Sequence, residues 1–279
     1  MNILHTYFNS QLVNAGLPDD LEICWSLSYC QGDGVAFYGN IPHSYWSALF
    51  ACIYPNQKRK LRKFERLVQS LIEWEFYCDS LIEIQRNQFG HRYSHFGTMV
   101  VDARSAEGFQ FFYHHEAQKT WYFPKDKVFQ YQALWNEFIT DLAEYIRDIS
   151  RRLASEGYRI IEATPSDKQF VYQFDTAHYS VQLVAEHSDF YNQPPECFFD
   201  DLDGVHNMLN EVINGESYYA NLCAQVIDRY TGQSLGKDYL YCACFDPKDK
   251  GFSGYKVELI RNAIADARRN VQQLAALHA

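Results

Sequence analysis

The sequence predicts an α+β fold: antiparallel β-hairpins packed against a long central helix, followed by a C-terminal hairpin-plus-helix unit. Three observations predict it. Aromatic residues reach 16% of the chain, with 21 Tyr and 20 Phe, and these side chains suit pleated, half-buried surfaces. Two stretches alternate apolar and polar residues on either side of glycine-containing turns. One long segment carries its apolar residues at steps of three and four.

The elements follow in chain order. Residues 3–17 predict a short helix closed by Gly16, Leu17 and Pro18. Ile23, Trp25, Leu27 and Tyr29 then alternate with Cys24, Ser26, Ser28 and Cys30, the period of a strand. Gln31-Gly32-Asp33-Gly34 supplies residues that tolerate positive φ, and Val35 to Tyr38 runs back as the partner strand. Pro42 and His43 open a helical stretch to Ile53, and Pro55 breaks it. Between Gln57 and Tyr77, Leu61, Phe64, Leu67, Val68, Leu71 and Ile72 fall at helical spacing. Leu81–Gln85, Thr98–Val101, Phe109–His114 and Lys119–Phe123 read as strands.

The clearest element is a helix over 127–156. Tyr131, Trp135, Phe138, Leu142, Ile146, Ile149 and Leu153 form its buried stripe. Arg147, Arg151 and Arg152 suit its C-terminal end, and Gly157 fits a cap. Tyr158–Ala163 then reads as a strand, Thr164–Asp167 as a turn or a helix start and Tyr179–Ala185 as a strand. Residues 188–204, with Pro194, Pro195, Asp200, Asp201 and Asp203, are the most loop-like stretch. That loop predicts a domain over 1–187 and a second unit over 188–279, or else one continuous domain. Asn221–Asp228 and Tyr239–Phe245 predict the second hairpin, and a helix follows from Tyr255.

Composition narrows the function classes. A net charge of −10 suits a protein poorly to broad, non-specific nucleic-acid binding. No apolar run approaches membrane-spanning length, and no secretory signal opens the chain. The eight Cys form no CxxC pair and no zinc-spaced array with His. Reduced thiols in a cytoplasmic protein, without metal or cofactor, are therefore expected.

Candidate chemistry lies in four places. The Gln31–Gly34 turn is either a simple hairpin turn or a nest of N–H groups that holds Asp33 towards a ligand. His91 and His95 would face one metal on a helix, but in a strand they lie about 13 Å apart at about 3.3 Å per residue. His114, His115 and Glu116 meet the same difficulty. No GxSxG elbow occurs, so Ser26, Ser28 and Cys30 are nucleophile candidates without a named base. The fourth is Lys58 to Arg66, with six bases and one acid in nine residues. It opens a helix, where cations oppose the macrodipole, so local stability does not account for it. Lys58, Arg59, Arg62, Lys63 and Arg66 are accordingly the leading binding residues, with Gln31 and Asp33 beside them.

The segment from Ser26 to Phe37 resembles one found in a family of uncharacterised phage, prophage and plasmid proteins. There a Ser-Gln-Gly-Asp-Gly-like turn precedes a small residue and an aromatic; this chain has Cys30 where Ser is frequent. Arg92-Tyr93-Ser94-His95 with Thr98 looks like a second patch of the same pattern. Thr231 to Gly236, with Ala263 to Arg268, looks like a third. The resemblance implies an accessory protein of a mobile element inside a bacterial host and carries no catalytic residue. The resulting expectation is a non-enzymatic binder of a host protein or protein–nucleic-acid complex, with anti-defence inhibition as its sharpest form. Nucleic acid would be met only through the basic cluster. The alternative is a small hydrolase or nucleic-acid-processing enzyme that uses polar residues near the first hairpin.

Overall fold

The computed structural model describes residues 1–73, 81–86, 99–103, 125–199 and 201–277. The fold is α+β, with two four-stranded antiparallel sheets and a long helix among the described residues. The strands expected at Phe109–His114 and Lys119–Phe123 lie outside the described residues, as do His91, His95, His114 and His115. The chain forms two compact units, one from His5 to Gly157 and the other from Tyr158 to Ala279 with Met1–Leu4.

The first unit begins within α1 (Ile3–Asn14), at His5. The end of α1 is a Schellman motif: Leu17 N–H donates to Leu12 O at 3.0 Å and Gly16 N–H to Val13 O at 2.9 Å. Gly16 sits at φ +83°, which a side chain would disfavour. Next come β1 (Glu22–Ser26) and β2 (Gly34–Asn40), paired from Glu22↔Tyr38 to Ser26↔Gly34. Then follow α2 (His43–Ile53), α3 (Lys58–Glu73), β3 (Ile82–Arg86) and β4 (Met99–Ala103), and the sheet order is β1-β2-β3-β4.

The long helix α4 spans Val128–Glu162. Trp135, Phe138, Leu142, Ile146, Ile149 and Leu153 are buried, as their spacing predicts, and Tyr131 at the near end is half-buried. The stripe meets helices as well as sheet. Trp135 lies edge-on to Trp46 of α2 at 5.3 Å, and Phe138 lies 4.6 Å from Phe64 of α3. Further along, the Ser150 hydroxyl donates to Val35 O of β2, and Tyr145 donates to Ala15 O.

Gly157 does not cap this helix. The helix runs through it, and Tyr158–Ala163 is not a strand: helix continues to Glu162 and Ile160 is fully buried. A Cβ at residue 157 would lie 2.5 Å from Leu27 Cδ1 and 3.0 Å from Phe8 Cζ. The glycine thus serves a close approach inside the helix.

The second unit is built on β5 (Gln169–Asp175), β6 (Tyr179–Glu186), β7 (Tyr218–Asp228) and β8 (Ser234–Phe245), in that order across the sheet. β6 pairs with β7 along its whole length, so the sheet spans the loop at which a boundary was expected. The compact units accordingly divide at Gly157–Tyr158 and not at 188.

Residues 188–204 also hold the start of a helix the spacing analysis did not predict, α5 (Leu202–Asn214). Asp201 is its N-cap, accepting from Gly204 N–H at 2.8 Å. Gly215, at φ +74°, closes it with a second Schellman pair, Glu216 N–H to Glu211 O and Gly215 N–H to Val212 O. The C-terminal helix α6 (Ser253–Leu277) packs Leu259, Ala263 and Ala267 against Leu222, Ala224 and Val226 of the sheet.

Candidate anion-binding face and the first hairpin turn

α3 sorts its first ten residues by contact. Phe64 and Leu67 are buried and Leu61 is half-buried, with Phe64 stacked on Phe50 at 4.3 Å. That anchoring fixes the helix about its axis. At ~100° per residue, Lys58, Arg59, Arg62, Lys63 and Arg66 then fall within an arc of about 140° opposite the core. All five are exposed, and none has an ion-pair partner among the described residues. The arc is about 12 Å long at ~1.5 Å per residue.

Lys60 is the exception, and the structure gives it a different task. Its Nζ is 2.6 Å from Glu137 Oε1 on α4 and 3.8 Å from the centre of the Tyr54 ring. Tyr54 in turn donates to Asp141 Oδ2 at 2.5 Å. Burial pushes the Tyr54 phenol well above its ordinary pKa, with the Asp141 hydrogen bond and the charges of Asp141 and Glu137 adding to it. Lys60 therefore ties α3 to α4, whereas the other five cations have no ion-pair partner among the described residues.

The first hairpin differs from its expected shape. β1 ends at Ser26, and residues 27–33 leave the ladder as a loop. The cause is Asp33. Its carboxylate accepts from Ser28 N–H at 2.6 Å, Cys30 N–H at 2.8 Å and the Ser26 hydroxyl at 2.8 Å. Ser28 Oγ lies 3.3 Å from the same group. Gly32, at φ +94°, allows the reversal, and Tyr29 also takes positive φ. The Asp33 carboxylate thus faces into its own loop, while Gln31 is exposed at the tip.

The same contacts place the nucleophile candidates. Ser26 and Ser28 direct their hydroxyls at Asp33, and Cys30 Sγ points to Ser28 O at 3.7 Å. No described histidine hydrogen-bonds any of the three. Asp33→Ala should cost about 1 kcal/mol of stability, because two loop amides lose a charged acceptor yet stay within reach of water. Chemical denaturation measures this, and a loss above about 3 kcal/mol would mean that the turn is part of the core.

The described cysteines, Cys24, Cys30, Cys52, Cys197, Cys223, Cys242 and Cys244, are free thiols. Among the described residues no group of three or more His, Cys, Asp or Glu could hold a metal ion, and no helix is long and apolar enough to cross a membrane. No family model, no curated protein and no solved structure matches this chain.

Proposed function

We propose that this protein is a non-enzymatic binding protein of a mobile element, and that it grips an anionic surface of its partner with the outer face of α3. The single observation behind this reading is the arc of five exposed cations, Lys58, Arg59, Arg62, Lys63 and Arg66, in a chain of net charge −10. Cations at the head of a helix cost about a few tenths of a kcal/mol each against the macrodipole. The core contacts of α3 do not need them, since Phe64 and Leu67 supply the anchoring.

The partner is a host protein or a protein–nucleic-acid complex that presents phosphates or carboxylates over about 12 Å. Obstruction of a host defence machine is the most specific form of the reading. It would act by occupying a phosphate- or carboxylate-lined surface that the machine needs. Asp33 and Gln31 play a smaller part: Asp33 shapes the loop and Gln31 stands at its tip.

The test is charge reversal. Arg59→Glu with Arg62→Glu should weaken binding to duplex DNA, RNA or polyglutamate steeply, and more so at low salt. Fluorescence anisotropy with each probe separates phosphate from carboxylate recognition. For a nucleic acid, the salt slope should drop by about two as two phosphate contacts are lost. The melting temperature should stay level or rise slightly, since acids suit a helix N-terminus. Equal binding of every probe by wild type and double variant would overturn the reading.

A further inference from the structure

The two long sides of α6 are treated differently by the fold. The side towards β8 is fully engaged. Asn262 donates to Asp238 at 3.0 Å, Asp266 accepts from Lys237 N–H at 3.2 Å, and Asn270 donates to Leu235 O at 2.8 Å. The side towards β5 borders open space. Two adjoining hollows of about 440 and 490 Å³ lie there, sharing Phe174, Ile264 and Arg268.

The sheet has room beside α6 for a second helix. Four strands at ~4.8 Å spacing give a sheet face wide enough for two helices of ~10 Å diameter. α6 is one, and it packs chiefly on β8 and β7. From Lys256 to Gln272 the groove follows α6 for about 24 Å at ~1.5 Å per residue. Its floor includes Phe174, Val181 and Ile264, and it is lined by Val257, 61% exposed, and Val271, 38% exposed.

Charge selects the occupant. Residues 158–279 contain 10 Lys and Arg against 17 Asp and Glu. Yet the groove is lined by Lys256, Arg261 and Arg268 and by no carboxylate among the described residues. Neither Arg261 nor Arg268 has an ion-pair partner among those residues, and Lys256 Nζ lies 4.2 Å from the Tyr172 ring centre. A second copy of α6 laid here would set these three cations against their own kind.

We propose that this groove receives an amphipathic helix of a partner protein, with an apolar stripe for the floor and Asp or Glu along the flank that meets Lys256, Arg261 and Arg268. The recognition is helix-in-groove, with anchors at i, i+3 or i+4, and i+7. The site is separate from the basic face of α3 and does not depend on it.

The experiment uses the full chain and a displayed library of 18-residue helical peptides randomised at apolar and flanking positions. Enriched peptides should carry the helical apolar period with acids on one flank. The best of them, as a labelled peptide, should bind wild type and bind Arg261→Glu with Arg268→Glu at least about tenfold more weakly. Val257→Glu with Val271→Glu, at exposed positions, should weaken it similarly. Both variants should keep the wild-type melting temperature, and Arg59→Glu with Arg62→Glu should leave peptide binding unchanged. Four results would each overturn the proposal: no enriched peptide, enriched peptides without acids, a period-two consensus that marks a strand added to β5, or binding of oleate vesicles alone.

Discussion

Trp135→Ala should lower the unfolding free energy by about 3–5 kcal/mol. Trp135 is fully buried on α4 and meets Trp46 edge-on at 5.3 Å and Phe138 at 6.2 Å. Trp46 is itself held, because its indole N–H donates to Ile41 O at 2.8 Å in a buried site. Neighbours pinned in this way cannot collapse into the space left by the indole. The loss therefore combines transfer energy with a cavity that persists. Denaturant melts with an unchanged slope would measure it cleanly. A change below about 1 kcal/mol would mean that this part of α4 is not core.

Gly236→Ala should cost about 3 kcal/mol and loosen the C-terminal unit first. A Cβ on residue 236 would lie 2.3 Å from Ala267 N, 2.6 Å from Ala263 O and 2.7 Å from Ala267 Cα. These are backbone atoms of α6, so no side-chain rotation relieves the clash. The helix must move away from β8. The bonds from Asn262, Asp266 and Asn270 to β8 would stretch together, since they lie on the same side of α6. Hydrogen exchange should show α6 opening in the variant at a lower free energy than in wild type, with Trp135 and its neighbours unaffected. Wild-type stability in Gly236→Ala would show that α6 is not seated as described.

How far the sequence could be read depended on how regular each local pattern was. The α4 stripe and the second hairpin are legible because their periods repeat over many residues, whereas in the first hairpin the alternation to Cys30 outruns β1, which ends at Ser26. The end of α4 is hard to place from sequence because Gly157 resembles a cap, although Ile160 continues the stripe of Ile149 and Leu153 past it. β5 was missed because the register shifts between Phe170 and Tyr172, which breaks the alternation. α5 is hard to see in the sequence because Asp201 also fits an acidic loop. Its capping role, followed by Val205, Leu209 and Val212 at helical spacing, was the available signal.

The candidate sites divide in the same way. That α3 would carry its cations away from the core follows from sequence alone, because Leu61, Phe64 and Leu67 fix the buried side and helical geometry places the rest. Which cation is already committed does not. Lys60 looks like its neighbours in the sequence, and only the tertiary structure brings Glu137 and Tyr54 to it. Asp33 was legible as a turn residue, but whether it faced outwards depended on how the amides of Ser28 and Cys30 converge on it. The groove beside α6 could not be read at all, since its floor combines β5, β6 and β7 with a helix some ninety residues later. Periodicity is a local property set by backbone geometry and can be counted along the chain. Whether a charge is paired or a face is covered depends on residues that folding alone brings together.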